Sequence, residues 1–210
     1  MGGQKKPMLE QIATYYSRKL AEYGQSPLGV DWNGEESQVL RFKQLSKIID
    51  PSNEFSVNDL GCGYGAYFDY LQREYNQVRY RGIDLSAEMI SAAKLRFEDD
   101  ERARFVVAGH PDVVADYGIA SGIFNVRLAS ADDAWRSHVV QTLDALDKTS
   151  RRGFSFNCLT SYSDRDKMRD YLHYADPCEL FDHCKRAYSR NVALLHDYGL
   201  YEFTILVRKS

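Results

Sequence analysis

Three glycines at alternate positions, in Asp59-Leu60-Gly61-Cys62-Gly63-Tyr64-Gly65, stand between a short strand pattern at 55–60 and a helical pattern at 66–75. Glycine is needed where a backbone turns sharply or lets a ligand approach closely. A glycine turn that opens a helix also presents N–H groups without intrahelical partners. Strand, tight turn and helix in that order are half of a β/α/β unit, and the pattern continues along the chain. Strands are expected at 78–84, 104–109, 117–124 and 153–159, with helices after Ser86 (an N-cap) and over 134–146. A further helix falls around 178–187. Two last strands, 192–196 and 201–208, are separated by Asp197-Tyr198-Gly199-Leu200 and should form an antiparallel hairpin. This alternation argues for a doubly wound, mostly parallel α/β sheet with one antiparallel strand added at its end. In such sheets ligands bind at the carboxyl ends of the strands, where the strand order reverses. Here those ends are the turns after Asp59, Asp84, Gly109, Ile119–Ser121 and Asn157.

Upstream of the alternation, Leu9, Ile12, Tyr16, Leu20 and Tyr23 recur at helical spacing over 8–23, and Gly24 ends the helix. Pro27 and Gly29 mark a loop carrying Val30-Asp31-Trp32-Asn33-Gly34. A second helix puts Leu40, Phe42, Leu45, Ile48 and Ile49 on one side, and Pro51 stops it. The 210 residues suit one domain, with residues 1–50 as a helical lid and 55–210 as the core. A hydrophobic fraction of 44% against 27% charged is the balance of a folded globular chain. With 27 basic and 30 acidic residues the formal charge is −3, which argues against a phosphate-backbone grip and makes a nucleic-acid partner unlikely. No apolar run is long enough to span a bilayer, and Met1–Lys6 has no apolar signal-peptide core. The expectation is therefore a cytoplasmic protein, monomer or homodimer, with Cys62, Cys158, Cys178 and Cys184 as reduced thiols. The 15 tyrosines and 10 phenylalanines are read first as core and rim packing, with a pocket floor as the alternative.

Asp84 closes the second strand about 20 residues after the glycines, where an acidic side chain accepts hydrogen bonds from both hydroxyls of a ribose. Glycine turn and downstream aspartate together point to an adenosine-type ligand, with Leu85 and Met89 placed to flank the adenine. A dinucleotide site prefers GxGxxG, and here Ala66 stands at the third glycine's place, a tolerated variant, so spacing leaves the cofactor open. Asp59 narrows it. A carboxylate would repel a pyrophosphate and suits a ligand that carries an ammonium group. No second domain is expected to hold a hydride acceptor, so a nicotinamide oxidoreductase is the remote reading.

At these residues the sequence resembles the class I S-adenosylmethionine-dependent methyltransferases. The matching pieces are Asp59-Leu60-Gly61-Cys62-Gly63-Tyr64-Gly65, Gly82-Ile83-Asp84-Leu85-Ser86 and the closing hairpin 192–208. The resemblance implies a Rossmann-like sheet of seven strands, the last inserted antiparallel. It implies S-adenosyl-L-methionine as cofactor and S-adenosyl-L-homocysteine as product. It also implies that Asp59, Gly61 and Gly63 hold the methionine end and Asp84 the ribose. The family's acidic position after strand three departs to Gly109-His110-Pro111-Asp112. His110, a backbone group or a displaced Asp112 would take the adenine contact.

The acceptor side is less marked. Ser121-Gly122-Ile123-Phe124-Asn125 follows strand four, where Asn125 either orients the acceptor or caps a turn. It is neither an Asn/Asp-Pro-Pro-aromatic motif nor a site with a covalent cysteine. Trp32 and Asn33 either close over the cofactor or anchor a surface loop. Arg41 either pairs with the methionine carboxylate or is an exposed helix charge. His196 and Asp197 end strand six near the expected mouth and are the favoured general bases. His138 and His183 lie inside helices and read as structural or exposed. Cys178, His183 and Cys184 lack the paired spacing of a zinc site, so no metal is expected. Asp164-Arg165-Asp166-Lys167 reads as a solvated face. Small size, the missing basic patch and the many aromatics suggest methyl transfer to an oxygen or nitrogen of a small-molecule substrate. RNA or protein acceptors are the alternative, and a catalytically silent cofactor-binding module is the reading from another class.

Overall fold

A computed structural model describes residues 7–209; the expectation for Met1–Lys6 lies outside the described residues. Seven strands form one sheet in the order β3-β2-β1-β4-β5-β7-β6. They are β1 (Phe55–Leu60), β2 (Val78–Asp84), β3 (Ala103–Val107), β4 (Ala115–Ala120), β5 (Ser150–Leu159), β6 (Asn191–Leu195) and β7 (Glu202–Arg208). β1 to β5 pair in parallel, and β7 pairs antiparallel with both β5 and β6. The doubly wound sheet, its seven strands and its closing hairpin are thus as the sequence suggests. The order reverses between β1 and β4, which is where an open α/β sheet parts to leave a crevice.

Side chains alternate across the sheet with period two, and each face buries its own layer. Val57, Tyr80 and Tyr117 face one layer with Phe42 and Leu45 of α2 (Glu35–Ser46) and Phe68 of α3 (Ala66–Glu74). Ile90 of α4 (Ala87–Arg96) joins the same layer. Leu60, Ile83, Phe154, Phe156 and Phe203 face the other, with Ile12 of α1 (Met8–Tyr23) and Trp135 and Leu143 of α5 (Asp132–Lys148). Cys184 of α6 (Pro177–Ala187) completes that layer. Among the described residues no helix is long and apolar enough to cross a membrane.

Three element boundaries differ from the sequence reading. α2 stops at Ser46 rather than running on to Pro51, because Ile48 and Ile49 switch to i→i+3 bonds onto Leu45 and Ser46. β4 lies earlier than expected, at 115–120, because Gly122 turns the chain at φ 74° before Phe124. β6 ends at Leu195, so His196 and Asp197 are loop residues rather than strand ends. Ser86 caps α4 as expected, its Oγ accepting the Met89 N–H at 3.1 Å.

Candidate active site

The carboxyl ends of β1, β2 and β4 open into a cavity of about 650 Å³. The glycine turn after β1 forms one wall. The N–H groups of Gly61 and Cys62 both donate to the Ile83 carbonyl, at 2.7 and 3.0 Å, so the turn is stitched to the end of β2. Gly61 sits at φ 79°, and a Cβ there would lie 2.1 Å from the γ-methyl of Ile123. No larger residue fits without moving the loop after β4.

Asp84 is fixed at both oxygens. Gly63 N–H donates to Oδ2 at 2.9 Å and Ser86 N–H to Oδ1 at 2.8 Å. Each oxygen keeps a lone pair, so the side chain can accept two further donors side by side, the pattern a vicinal diol presents. Burial raises its pKa and the backbone donors offset part of that rise. Asp59 is 2% exposed and receives the Tyr80 hydroxyl on Oδ2. Burial pushes its pKa up to about 7. Among the described residues it has no cationic partner, so a cation entering the cavity would meet a carboxyl group waiting for one. Leu85 and Met89 line the cavity beside this pair, as expected.

The adenine rim is settled by elimination. His110 does not line the cavity, and its Nδ1 lies 3.3 Å from the Pro111 carbonyl. Asp112 pairs with Arg81 through two bonds of 2.8 and 2.6 Å. The expectation that either side chain reaches the adenine is corrected. The chain at Ala108 and Gly109 lines the cavity instead.

The lid is held down by charge. Asp31 takes a left-handed conformation at φ 65°, accepts the Tyr15 hydroxyl at 2.7 Å and pairs with Lys19 at 2.8 Å. Trp32 thereby packs onto Gly122, where a Cβ would stand 2.4 Å from the indole. The Arg41 guanidinium stacks on the Trp32 ring at 3.9 Å. Arg41 is not an exposed helix charge: it is 6% exposed and holds Glu202 of β7 through two bonds of 2.8 Å. Glu202 also accepts Asn157 Nδ2 at 2.6 Å, and Asn157 Oδ1 accepts Gly122 N–H at 2.7 Å. One buried network thus ties lid, sheet and β4 turn. Within it Arg41 Nη1 has no partner among the described residues, and neither does Ser121 Oγ. Both residues line the cavity, as does Asn33. A buried carboxyl without a cation, a guanidinium nitrogen without an acceptor and a glycine cradle fit the zwitterionic end and ribose of S-adenosylmethionine.

The other end of the cavity lies under the segment between β5 and α6. That segment pairs with the β4 turn through Val126 and Leu172, and His173 N–H donates to the Asn125 carbonyl at 2.8 Å. Asn125 is buried on the cavity wall. Its Oδ1 accepts Leu159 N–H at 3.0 Å, which fixes the amide and turns the NH2 group to the remaining side. His196 and Asp197, the favoured bases, do not line the cavity. His196 stands against Phe203 and Tyr162, with ring centroids 6.0 Å apart in each pair. His138 does line it, half-buried beside Trp135, and burial lowers its pKa. Its place in a helix gave no sign of this. Lys167 also lines the cavity, so the run 164–167 is not simply a solvated face. Glu202, Arg169 and Tyr174 are further lining residues that sequence reasoning missed. None belongs to a local motif; hydrophobic spacing carries no signal for them.

A family model described as a methyltransferase domain matches residues 57–153. The chain is 63% identical over 164 residues to Rv1506c of Mycobacterium tuberculosis, a protein named as a methyltransferase. The match covers 78% of this chain and 99% of that one. The DhpI-SAM-HEP complex superposes with TM-score 0.68 at 14% identity, over 99% of this chain and 100% of that chain. A Burkholderia thailandensis 1,6-didemethyltoxoflavin-N1-methyltransferase, solved with 1,6-didemethyltoxoflavin and S-adenosylhomocysteine, superposes with TM-score 0.64. Its identity is 20%, over 100% of this chain and 93% of that chain.

Proposed function

The chain belongs to the class I S-adenosylmethionine-dependent methyltransferases, and from that premise we propose that it methylates an oxygen or nitrogen atom of a small molecule. The observation that carries this reading is the continuity of the cavity. It runs from Asp59 and Asp84 past Ile123 to Asn125, Leu172 and Tyr174 beneath a closed roof. The roof meets across the mouth, where the Tyr15 and Tyr171 rings stand 6.3 Å apart. An enclosed space of about 650 Å³ is the size of a small-molecule site.

When bound, the cofactor supplies a methyl group on a sulfonium, already activated toward in-line displacement. The chain's part is alignment and exclusion of water. In our reading Asp59 takes the ammonium and the free Nη1 of Arg41 takes the carboxylate, with Gly61 and Gly63 allowing close approach. Asp84 accepts the ribose hydroxyls. Leu85 and Met89 flank the adenine, and Ser121 offers its unpaired hydroxyl. Trp32, held on Gly122 and under Arg41, closes the cofactor end. Asn125 donates its fixed NH2 to the acceptor. His138 takes the proton from an acceptor that carries one, since burial keeps its imidazole in the neutral, accepting form.

Turnover measured against a metabolite panel and, separately, bulk tRNA, rRNA and protein tests the acceptor class. Methylation of one or a few metabolites is the expected result. Methylation confined to RNA or protein would overturn it and leave the cofactor site untouched.

A further inference from the structure

We propose that the methyl acceptor is an anion, a small molecule whose carboxylate or phosphate group docks on Lys167 and Arg169 at the roof of the cavity. This rests on the methyl-transfer reading above and names the chemistry of its second substrate. The lining is divided by charge. At the cofactor end stand Asp59 and Asp84, with Asp31 already neutralised by Lys19. At the acceptor end the charged lining residues of the β5–α6 segment are Lys167 and Arg169, both basic.

The acids of that same segment do not line the cavity. Asp164 is held by the Tyr201 hydroxyl, and Asp166 meets Lys167 at 3.5 Å in an exposed pair of the weak, screened kind. Arg169 has no ion pair among the described residues. Its Nη1 donates to the carbonyls of Asp166 and Met168 at 3.1 and 2.9 Å, which holds the side chain and leaves Nε and Nη2 for a ligand. Tyr174 adds a donor. Its oxygen accepts Arg169 N–H at 2.9 Å, so its own proton is available. Asn125 presents NH2 from the wall below. Donors therefore converge on the acceptor space, and the nearest lining carboxylate on that side, Glu202, is already occupied by Arg41 and Asn157. A planar fork beside an ammonium and a hydroxyl suits a carboxylate or a phosphate oxygen set. A neutral acceptor would leave both cations facing apolar or polar surface with nothing gained. The opposite charges at the two ends would also draw an anion toward a cationic sulfonium lying between them.

The test uses the full chain saturated with S-adenosylhomocysteine, titrated calorimetrically with benzoate, phenylphosphonate and neutral benzamide. Both anions should bind, and benzamide should bind about tenfold more weakly or not at all. The relative strength of benzoate and phenylphosphonate identifies the headgroup. In a Lys167→Gln/Arg169→Gln variant anion affinity should fall about tenfold, with S-adenosylhomocysteine affinity unchanged as the control for folding. Should that variant not fold, anion binding to the unaltered protein should still weaken as salt is raised. Equal binding of benzamide and benzoate, anion affinity untouched by the double substitution, or salt-independent binding would each overturn the proposal. So would tRNA binding more tightly than either anion, with loss at the same two substitutions. Failure of the unaltered protein to bind S-adenosylhomocysteine would instead defeat the reading on which this one rests.

Discussion

Asp59 carries a buried carboxyl whose pKa is pushed up to about 7, and it faces the place where a ligand ammonium belongs. Two opposite pH dependences follow. Its folded pKa is above the unfolded value, so the free protein gains stability from it at low pH and loses that stability as pH rises from about 4 through about 7. Binding of a cationic amine needs the carboxylate and should strengthen over the same upper range. Thermal melts and S-adenosylhomocysteine titrations between pH 5 and 8 should show the two trends, and Asp59→Asn should flatten both. Asp84→Ala should weaken S-adenosylhomocysteine by about 1.5–3 kcal/mol, the scale of charge-assisted hydrogen bonds, read by calorimetry. His138→Gln should lower kcat by about 10²–10⁴-fold while leaving S-adenosylhomocysteine affinity intact. The two aspartates were legible because each ends a strand beside a turn, a local pattern. His138 was not, since a half-buried imidazole on a helix looks the same in sequence whether it faces core, solvent or ligand.

At the scale of elements, the lid depends on one contact. Trp32 lies where Gly122 would carry a Cβ, and Gly122 itself sits at φ 74°, a region that disfavours side chains. Gly122→Ala should therefore lift the Trp32 loop. Cofactor affinity should fall and tryptophan fluorescence should move toward a wetter environment, while the sheet's far-ultraviolet circular dichroism stays the same. The strand and helix series was readable from periodicity, but the boundaries that matter here were not. β4 ends at Ala120 because a glycine turn intervenes, although the apolar run continues to Phe124. The segment after β5 gave only polar composition. Its pairing with the β4 turn through Val126–Leu172 makes it the acceptor roof, and that is a contact between residues far apart in sequence.

For the molecule as a whole, Arg41, Glu202 and Asn157 join the lid helix α2, the last strand β7 and the central strand β5 in one buried network. Glu202→Ala would leave a buried guanidinium without its counter-charge, so unfolding free energy should drop by about 3–5 kcal/mol in urea titrations. The loss should exceed that of removing the exposed pair Arg186–Asp182, which is worth at most about 1 kcal/mol. The amino-acid order alone determined the parallel sheet, its antiparallel hairpin and the cofactor end of the cavity. Those rest on periodicity and on a glycine turn followed by an acidic residue, all within short stretches of chain. Which cations face the acceptor, which histidine borders it and what Arg41 grips were decided only in three dimensions. Each depends on side chains that the sheet order brings together from opposite ends of the chain, and no local pattern records such a meeting.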